Sequence, residues 1–441
     1  MELLQGSIVK HYGKYLFAAF GSALISCIYG MVDMAMVGQY QGPQGTAALA
    51  VVAPLWNIIY SLGLLTGIGG SVIFSAIRGG AQGGKGENEY FTVSVIASVF
   101  LSLLAWAGLI VFEVPLLTFF GADESLLPLA QGYMKPVRWV FPLFLFNQML
   151  AAFLRNDGNP GLATLGVLSG GIFNVFGDYF FVFPCDMGVY GAGLATAIGS
   201  AISFIVMITH FFTCKNTLRL VRPTALLKKF GSICINGFSS FFIDVAMGVL
   251  TVLFNRQIMR YLDADALAIY GPIINISTFV QCCAYSVGQA AQPIISIHYG
   301  AGKGARIRQT LRLALGTSAF FALVWTALCM LFPNLFIRIF MSPTEEILQR
   351  APAIIRAYAI SFLLLPFNIF STYYFQAIMR PREAFVVSVA RGMLISGILI
   401  LVLPALLGAS SIWYAMPVTE ALTALYAFLA IRRDTAALPQ V

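Results

Sequence analysis

Charge is scarce in this chain. Of 441 residues only 10% are Asp, Glu, Lys or Arg, against roughly 25% in an ordinary soluble domain. So few charges cannot cover the surface of a water-soluble protein of this length, which excludes a soluble enzyme and a disordered polymer. The net charge of +8 does not point to nucleic acid, because the basic residues are scattered between apolar runs rather than gathered in one patch. Histidine is nearly absent, with three in all: His11, His210 and His298. They belong to different segments, so no catalytic or metal-binding constellation is visible and an enzyme is not expected. The seven cysteines show no spacing that suggests a disulfide framework or a zinc site. A charged start, short apolar core and small-residue cleavage site are missing from MELLQGSIVKHYGKY, so the first apolar run is expected to be a retained helix.

What the chain has in abundance is apolar sequence. Hydrophobic residues make up 59% and the mean hydropathy is +0.85. About 20 mostly apolar residues cross a bilayer as a helix. Twelve such runs are read, at 15–38, 47–76, 91–113, 133–154, 161–183, 190–213, 231–258, 264–297, 310–338, 352–379, 384–406 and 411–431. They lack the ten-residue alternation of a membrane β-barrel. The fold class predicted is an all-α integral membrane protein. An even number of spans puts both termini on one side. Eighteen of the 26 Lys and Arg residues fall on that side and seven on the other, which predicts cytoplasmic termini in the plasma membrane.

The chain also repeats itself. A shift of 218 pairs Ala48-Leu49-Ala50 with Ala266-Leu267-Ala268, Pro54 with Pro272, and Asn57 with Asn275. After a small insertion a shift of 224 pairs Pro142 with Pro366 and Thr196 with Glu420. Six spans per half is an even number, so the repeat is parallel, with its pseudo-twofold axis along the membrane normal. The expected organisation is a six-helix lobe over 1–214, a basic linker over 215–230 and a second six-helix lobe over 231–441. The GGKG and AGKG segments look like phosphate loops only superficially, since Gly follows each Lys where Ser or Thr is needed; they read as short turns. Without an ATP site, transport would run on an ion gradient.

Four carboxylates lie well inside spans: Asp33, Asp178, Asp244 and Glu420. Each costs roughly 2.5–3.5 kcal/mol near a helix centre, which argues for a use. Counting about 1.5 Å per residue, Asp33, Asp178 and Thr196 fall at similar depth in the outer half of the bilayer. Tyr29 precedes Asp33 by four and Asn174 precedes Asp178 by four, so each pair shares a helix face. Asp33, Asn174, Asp178 and Thr196, with Tyr29 beside them, are therefore expected to form one oxygen-rich cavity. Oxygen ligands suit Na⁺, and carboxylates also carry protons, so both ions remain open. Asp244 and Glu420 lie near mid-membrane, where they would hold a cationic ligand, unless Arg391 neutralises one of them. Asn57, Asn275, Gln292 and Met247 complete the candidate cleft set.

At these residues the sequence resembles the MATE (multidrug and toxic compound extrusion) transporters, along nearly the whole chain. The carriers are YGMVDMAMVGQYQG followed by ALAVVAP, RNDGNP after span four, FNVFGD in span five, and QPIISIHYGAGK at the end of span eight. The resemblance implies two six-helix lobes around a central cleft, and export of small organic cations in exchange for Na⁺ or H⁺, with no other cofactor. It implies cation-binding roles for Asp33, Asn174, Asp178 and Thr196. Met247 stands where some members have a span-seven Glu, with Asp244 three residues earlier, so a second-lobe cation role does not carry over. The first helix has no proline between 15 and 38, so the proline bend of some members is not expected. A pathway inside one chain implies monomeric action in the lipid bilayer. The alternative weighed is a lipid-linked precursor flippase of the same superfamily, which would need more intramembrane Arg or Lys than Arg391 alone.

Overall fold

The computed structural model describes residues 2–80, 86–340 and 343–439. Its described residues are helical with no strand, and twelve helical segments are long and apolar enough to span a membrane. They coincide with the twelve runs read from the sequence, and most extend beyond them. The first nine are α1 (Ile8–Gln41), α2 (Pro43–Gly79), α3 (Glu87–Phe119), α4 (Leu127–Asn156), α5 (Pro160–Val182), α6 (Gly188–Ile208), α7 (Leu226–Tyr261), α8 (Ala264–Gly300) and α9 (Gly304–Leu331). The ninth run was expected to reach 338. Instead the helix stops at Leu331, and Pro333 opens the short helix α10 (Pro333–Phe340). Proline suits the first turn of a helix, where its missing N–H is not needed, and cannot continue one.

The last three spans are broken. The tenth consists of α11 (Glu345–Ala359), a 3₁₀ turn at Ile360–Leu363, and α12 (Leu365–Ala377), which has Pro366 in its first turn. The eleventh consists of α13 (Pro381–Val389), a π-helical turn at Ala390–Leu394, and α14 (Ile395–Leu407). The twelfth is a 3₁₀ turn at Ala409–Tyr414 leading into α15 (Ala415–Ala436). Within α3, Phe112 leaves helical geometry (φ −115°, ψ 23°) three residues before Pro115, the place where a proline ring crowds the preceding turn. The GGKG segment lies outside the described residues apart from Gly86. The AGKG segment forms a turn between α8 and α9, with Gly302 at φ +67°.

The chain divides into two compact units, one built on Phe17–Phe241 and the other on Gly6–Leu16 with the chain from Phe242 onward. The first unit therefore takes in the segment expected to be a linker and the first half of α7. Its helices meet where side chains are smallest. A Cβ on Gly63 would lie 2.7 Å from the Leu145 carbonyl oxygen, so α2 and α4 are nearly in backbone contact there. A Cβ on Gly170 would lie 2.4 Å from the Gly199 carbonyl oxygen, which brings α5 equally close to α6. Small residues at such crossings let helices gain van der Waals contact where lipid offers no hydrophobic driving force. Phe74, Phe91, Met149, Phe153 and Met207 pack at one end of this unit, and Val37, Val52, Ile59, Tyr133 and Phe141 belong to a second apolar cluster. In the other unit, Gly288 of α8 faces the ring of Tyr373 in α12, and Phe254 stacks on Tyr270 with ring centroids 5.0 Å apart.

Many large apolar side chains are exposed, Phe17, Phe119 and Leu227 among them. In water such a surface would be an aggregation hazard; in hydrocarbon it is the expected exterior of a spanning helix.

Candidate functional site

The site is built on one stripe of α1. Ser22, Ser26, Tyr29 and Asp33 follow at intervals of four, three and four, so they share a face. Ser22 donates to Thr164 Oγ1 (3.0 Å), and Thr164 donates to the Ala18 carbonyl (2.7 Å), which fixes α1 against α5. Gly171 keeps the gap narrow, since a Cβ there would meet Ile25 at 2.7 Å. Along α5, Asn174 and Asp178 lie one turn apart, beyond the Gly170–Gly199 contact that draws in α6 and its Thr196. Gly193 of α6 brings in α4 as well: a Cβ there would sit 2.2 Å from the Tyr133 carbonyl oxygen.

These contacts gather five polar residues into one chain of hydrogen bonds. Tyr133 donates its hydroxyl to Asp33 Oδ2 at 2.7 Å, and the same hydroxyl lies 3.2 Å from Thr196 Oγ1. Asn174 Nδ2 donates to Thr196 Oγ1 at 3.0 Å and approaches Asp178 Oδ1 at 3.4 Å. Asp33, Tyr133, Asn174, Asp178 and Thr196 are all buried, Asp178 completely. Three buried oxygens have no hydrogen-bond partner: Asp33 Oδ1, Asn174 Oδ1 and Asp178 Oδ2. Unsatisfied buried oxygens are costly, and here they belong to the residues the sequence marked. Among the described residues no group of three or more His, Cys, Asp and Glu side chains is placed to hold a metal. The chamber offers instead two carboxylates with neutral oxygens, a donor set that fits a hard monovalent cation or a proton.

Tyr29 takes a neighbouring role. Its hydroxyl pairs with that of Tyr60 at 2.8 Å. Both tyrosines, with Asn147, Asn174, Thr196 and Ser200, line a cavity of about 50 Å³. Asn147 donates to Ser200 Oγ at 3.0 Å and leaves its own Oδ1 unpartnered. Tyr133, Asn147 and Ser200 were not among the sequence candidates. Tyr133 is the first residue of the fourth apolar run in the sequence, whereas α4 begins six residues earlier, at Leu127.

The second-half candidates separate. Arg391 donates Nε to Glu420 Oε1 at 2.7 Å, and Asn368 donates Nδ2 to Glu420 Oε2 at 2.6 Å. Both members of the ion pair are buried. Glu420 is thus the acid that Arg391 neutralises, and its carboxylate is engaged on both oxygens rather than offered to a ligand. The π-helical turn is where Arg391 sits; such turns are rare and concentrate at functional positions. Asp244 is half-buried. Gln292 is buried and donates to Gln376 at 3.3 Å. Met247 and Asn275 are half-buried, and Asn57 is exposed.

A second polar cluster lies at the other end of the first unit, around the RNDGNP turn. Asp157 accepts from His210 Nε2 (2.7 Å), Arg78 Nη1 (2.8 Å) and the Thr217 backbone N–H (3.0 Å). Burial pushes the Asp157 carboxyl up, but the hydrogen bonds from His210, Thr217 and Arg78 outweigh it and hold the group below the usual carboxylate range.

Comparison with known proteins agrees with this architecture. The MatE family model matches twice, at residues 18–180 and 238–402. The chain belongs to the MatE family. The two matches begin 220 positions apart (18 and 238), close to the shift of 218 that the internal repeat required. Members of this family are membrane transporters, and the chain is one rather than an enzyme. Multidrug export protein MepA of Staphylococcus aureus (strain MSSA476) is 23% identical over 412 residues, covering 92% of this chain and 90% of MepA. A solved outward-facing multidrug resistance MATE family transporter of the MOP superfamily superposes with a TM-score of 0.90 at 18% identity, over 99% of this chain and 98% of that one. The MATE multidrug transporter DinF-BH, solved in complex with R6G, gives a TM-score of 0.87 at 25% identity, over 96% and 95% of the two chains.

Proposed function

We propose that this MatE transporter exports small organic cations in exchange for Na⁺ or H⁺, and that Asp33, Asn174, Asp178 and Thr196, with Tyr133 bracing Asp33, bind the coupling ion. The observation that carries the proposal is the chain of hydrogen bonds from Asp33 to Asp178, with three buried oxygens left unpartnered along it. A cation or proton arriving there would supply the missing partner and relieve the repulsion between two nearby carboxylates. Coupling then requires that the ion bind the two access states with different affinity. An ion taken up from outside would favour the outward state and release of cargo, and cargo taken up from inside would accompany loss of the ion. The cargo class is supported by the multidrug export of MepA and by the R6G complex of DinF-BH. The excess of Lys and Arg on the terminus side supports cytoplasmic termini in the plasma membrane, and the internal repeat supports action as a monomer.

The flippase alternative loses ground. Arg391, the deep basic residue it would need, is spent on Glu420.

The test is export of R6G from proteoliposomes with Na⁺ and pH gradients imposed separately. Export driven by one gradient identifies the ion. Export that ignores both gradients contradicts the proposal.

A further inference from the structure

Where α3 begins and α6 ends, the first unit contains a cavity of about 310 Å³, within the size range of small-molecule pockets, roughly 300–1,000 Å³. Phe91 and Val95 come from the first turns of α3, Phe204 and Phe211 from the end of α6 and the turn after it, and Leu218 and Leu220 from the segment that follows. Every lining side chain is apolar. Water suits such a space poorly, because an ordered water needs about two to four polar partners, whereas a hydrocarbon chain needs none.

The segment carrying Leu218 and Leu220 is pinned along α3. Arg219 N donates to Asn88 Oδ1 at 2.9 Å, Asn88 Nδ2 donates to the Thr217 carbonyl at 3.2 Å, and Val221 N donates to Thr92 Oγ1 at 2.9 Å. This strap also carries exposed Lys215, Arg219 and Arg222. The carboxylates at this end already have basic partners: Glu87 has Arg78, Asp157 has Arg78 and His210, and Glu89 has Lys229. Among the described residues, Lys215, Arg219 and Arg222 enter no ion pair. In an extended strap alternate residues share an edge, so Arg222 follows Leu218 and Leu220 on the edge that lines the cavity. Phe212, beside the same mouth, is almost fully exposed, as befits a side chain reaching into lipid.

We propose that this cavity is a binding site for an anionic phospholipid, with one acyl chain against the aromatic wall, the phosphate at Arg222, and Arg219 on the opposite edge of the strap adding positive charge at this end. The same positive charge disfavours an organic-cation cargo at this place. Juxtamembrane Lys and Arg each strengthen attraction to anionic lipid on the order of fivefold.

The test is native mass spectrometry of the full chain in detergent, titrated separately with phosphatidylglycerol, phosphatidylcholine and inorganic phosphate. Phosphatidylglycerol is expected to bind one per chain and about tenfold or more tighter than phosphatidylcholine. R219Q/R222Q is expected to erase that preference, weakening phosphatidylglycerol far more than phosphatidylcholine. Val95→Trp, which narrows the cavity, is expected to weaken both lipids. Should that variant fail to fold, phosphatidylglycerol with a photoreactive acyl chain is expected to label the Phe91–Val95 or Phe204–Phe211 peptides of the wild-type chain. Undiminished preference in R219Q/R222Q overturns the proposal, as does acyl labelling elsewhere. Binding of inorganic phosphate as tight as the lipid reduces the site to an anion patch, and displacement of the lipid by R6G makes it a cargo site; either result also overturns it.

Discussion

Tyr133 joins the two halves of the proposed ion chamber, because its hydroxyl donates to Asp33 and reaches Thr196. A hydrogen bond to a charged group contributes about 1.5–3 kcal/mol. Tyr133→Phe is therefore expected to shift the ion concentration for half-maximal transport by roughly tenfold or more while the protein stays monodisperse, which an ion titration of R6G export would reveal. At the opposite end of the unit, Asp157 is held below the ordinary carboxylate range. Its folded value lies below the unfolded value of about 3.9, so its stabilisation is fully present above that pH and is lost only as pH falls through the lower folded value. Melting curves between pH 7 and 5 should show no loss from protonation of the Asp157 carboxylate. Asp157→Ala, by contrast, takes the acceptor from His210 and the Thr217 N–H and leaves Arg78 with Glu87 alone; it should destabilise by about 1–3 kcal/mol, the usual result of leaving buried donors unsatisfied. The four residues of the chamber that the sequence exposed were legible because a carboxylate in hydrocarbon is expensive and i, i+4 spacing is visible in one dimension. Tyr133 was not, since an aromatic at a span boundary has an ordinary interfacial explanation.

Helix contacts decide whether those side chains meet. The α5–α6 crossing depends on Gly170 and Gly199, each facing the other's backbone. Gly170→Leu would force the helices apart and, as an overpacked site, should cost about 1–3 kcal/mol. Its measurable consequences are a lower melting temperature in detergent and weaker ion dependence of transport. In the second unit, a π-helical turn carries Arg391, which pairs with Glu420. Arg391→Met alone leaves a buried carboxylate without its counter-charge, and about 3–5 kcal/mol should be lost. R391M/E420L removes both charges and should recover most of it, as a double-mutant cycle of thermal unfolding would show. The pair was legible only as one of two options, because Asp244 and Glu420 both lay near mid-membrane. Choosing between them required the local geometry of the π turn, which no hydrophobic pattern records. The break of the ninth run at Leu331 was missed for a similar reason: apolar residues continue past it, and only Pro333 marks the stop.

At the scale of the molecule, twelve spans were legible because a bilayer demands one long apolar run per crossing. The repeat was legible from Pro54 and Pro272 or Asn57 and Asn275, and the MatE family model matches each half separately. The assignment of residues 215–230 was less visible. A basic, polar stretch reads as a connector, yet its backbone is bonded to Asn88 and Thr92 and it belongs to the first compact unit. The central claim is that Asp33 and Asp178 together couple ion entry to cargo exit. The most direct measurement is gradient-driven R6G export by Asp33→Asn and Asp178→Asn, each reconstituted beside wild type at matched protein density. Loss of gradient-driven export in both variants is the predicted result; wild-type rates in either one would contradict the account.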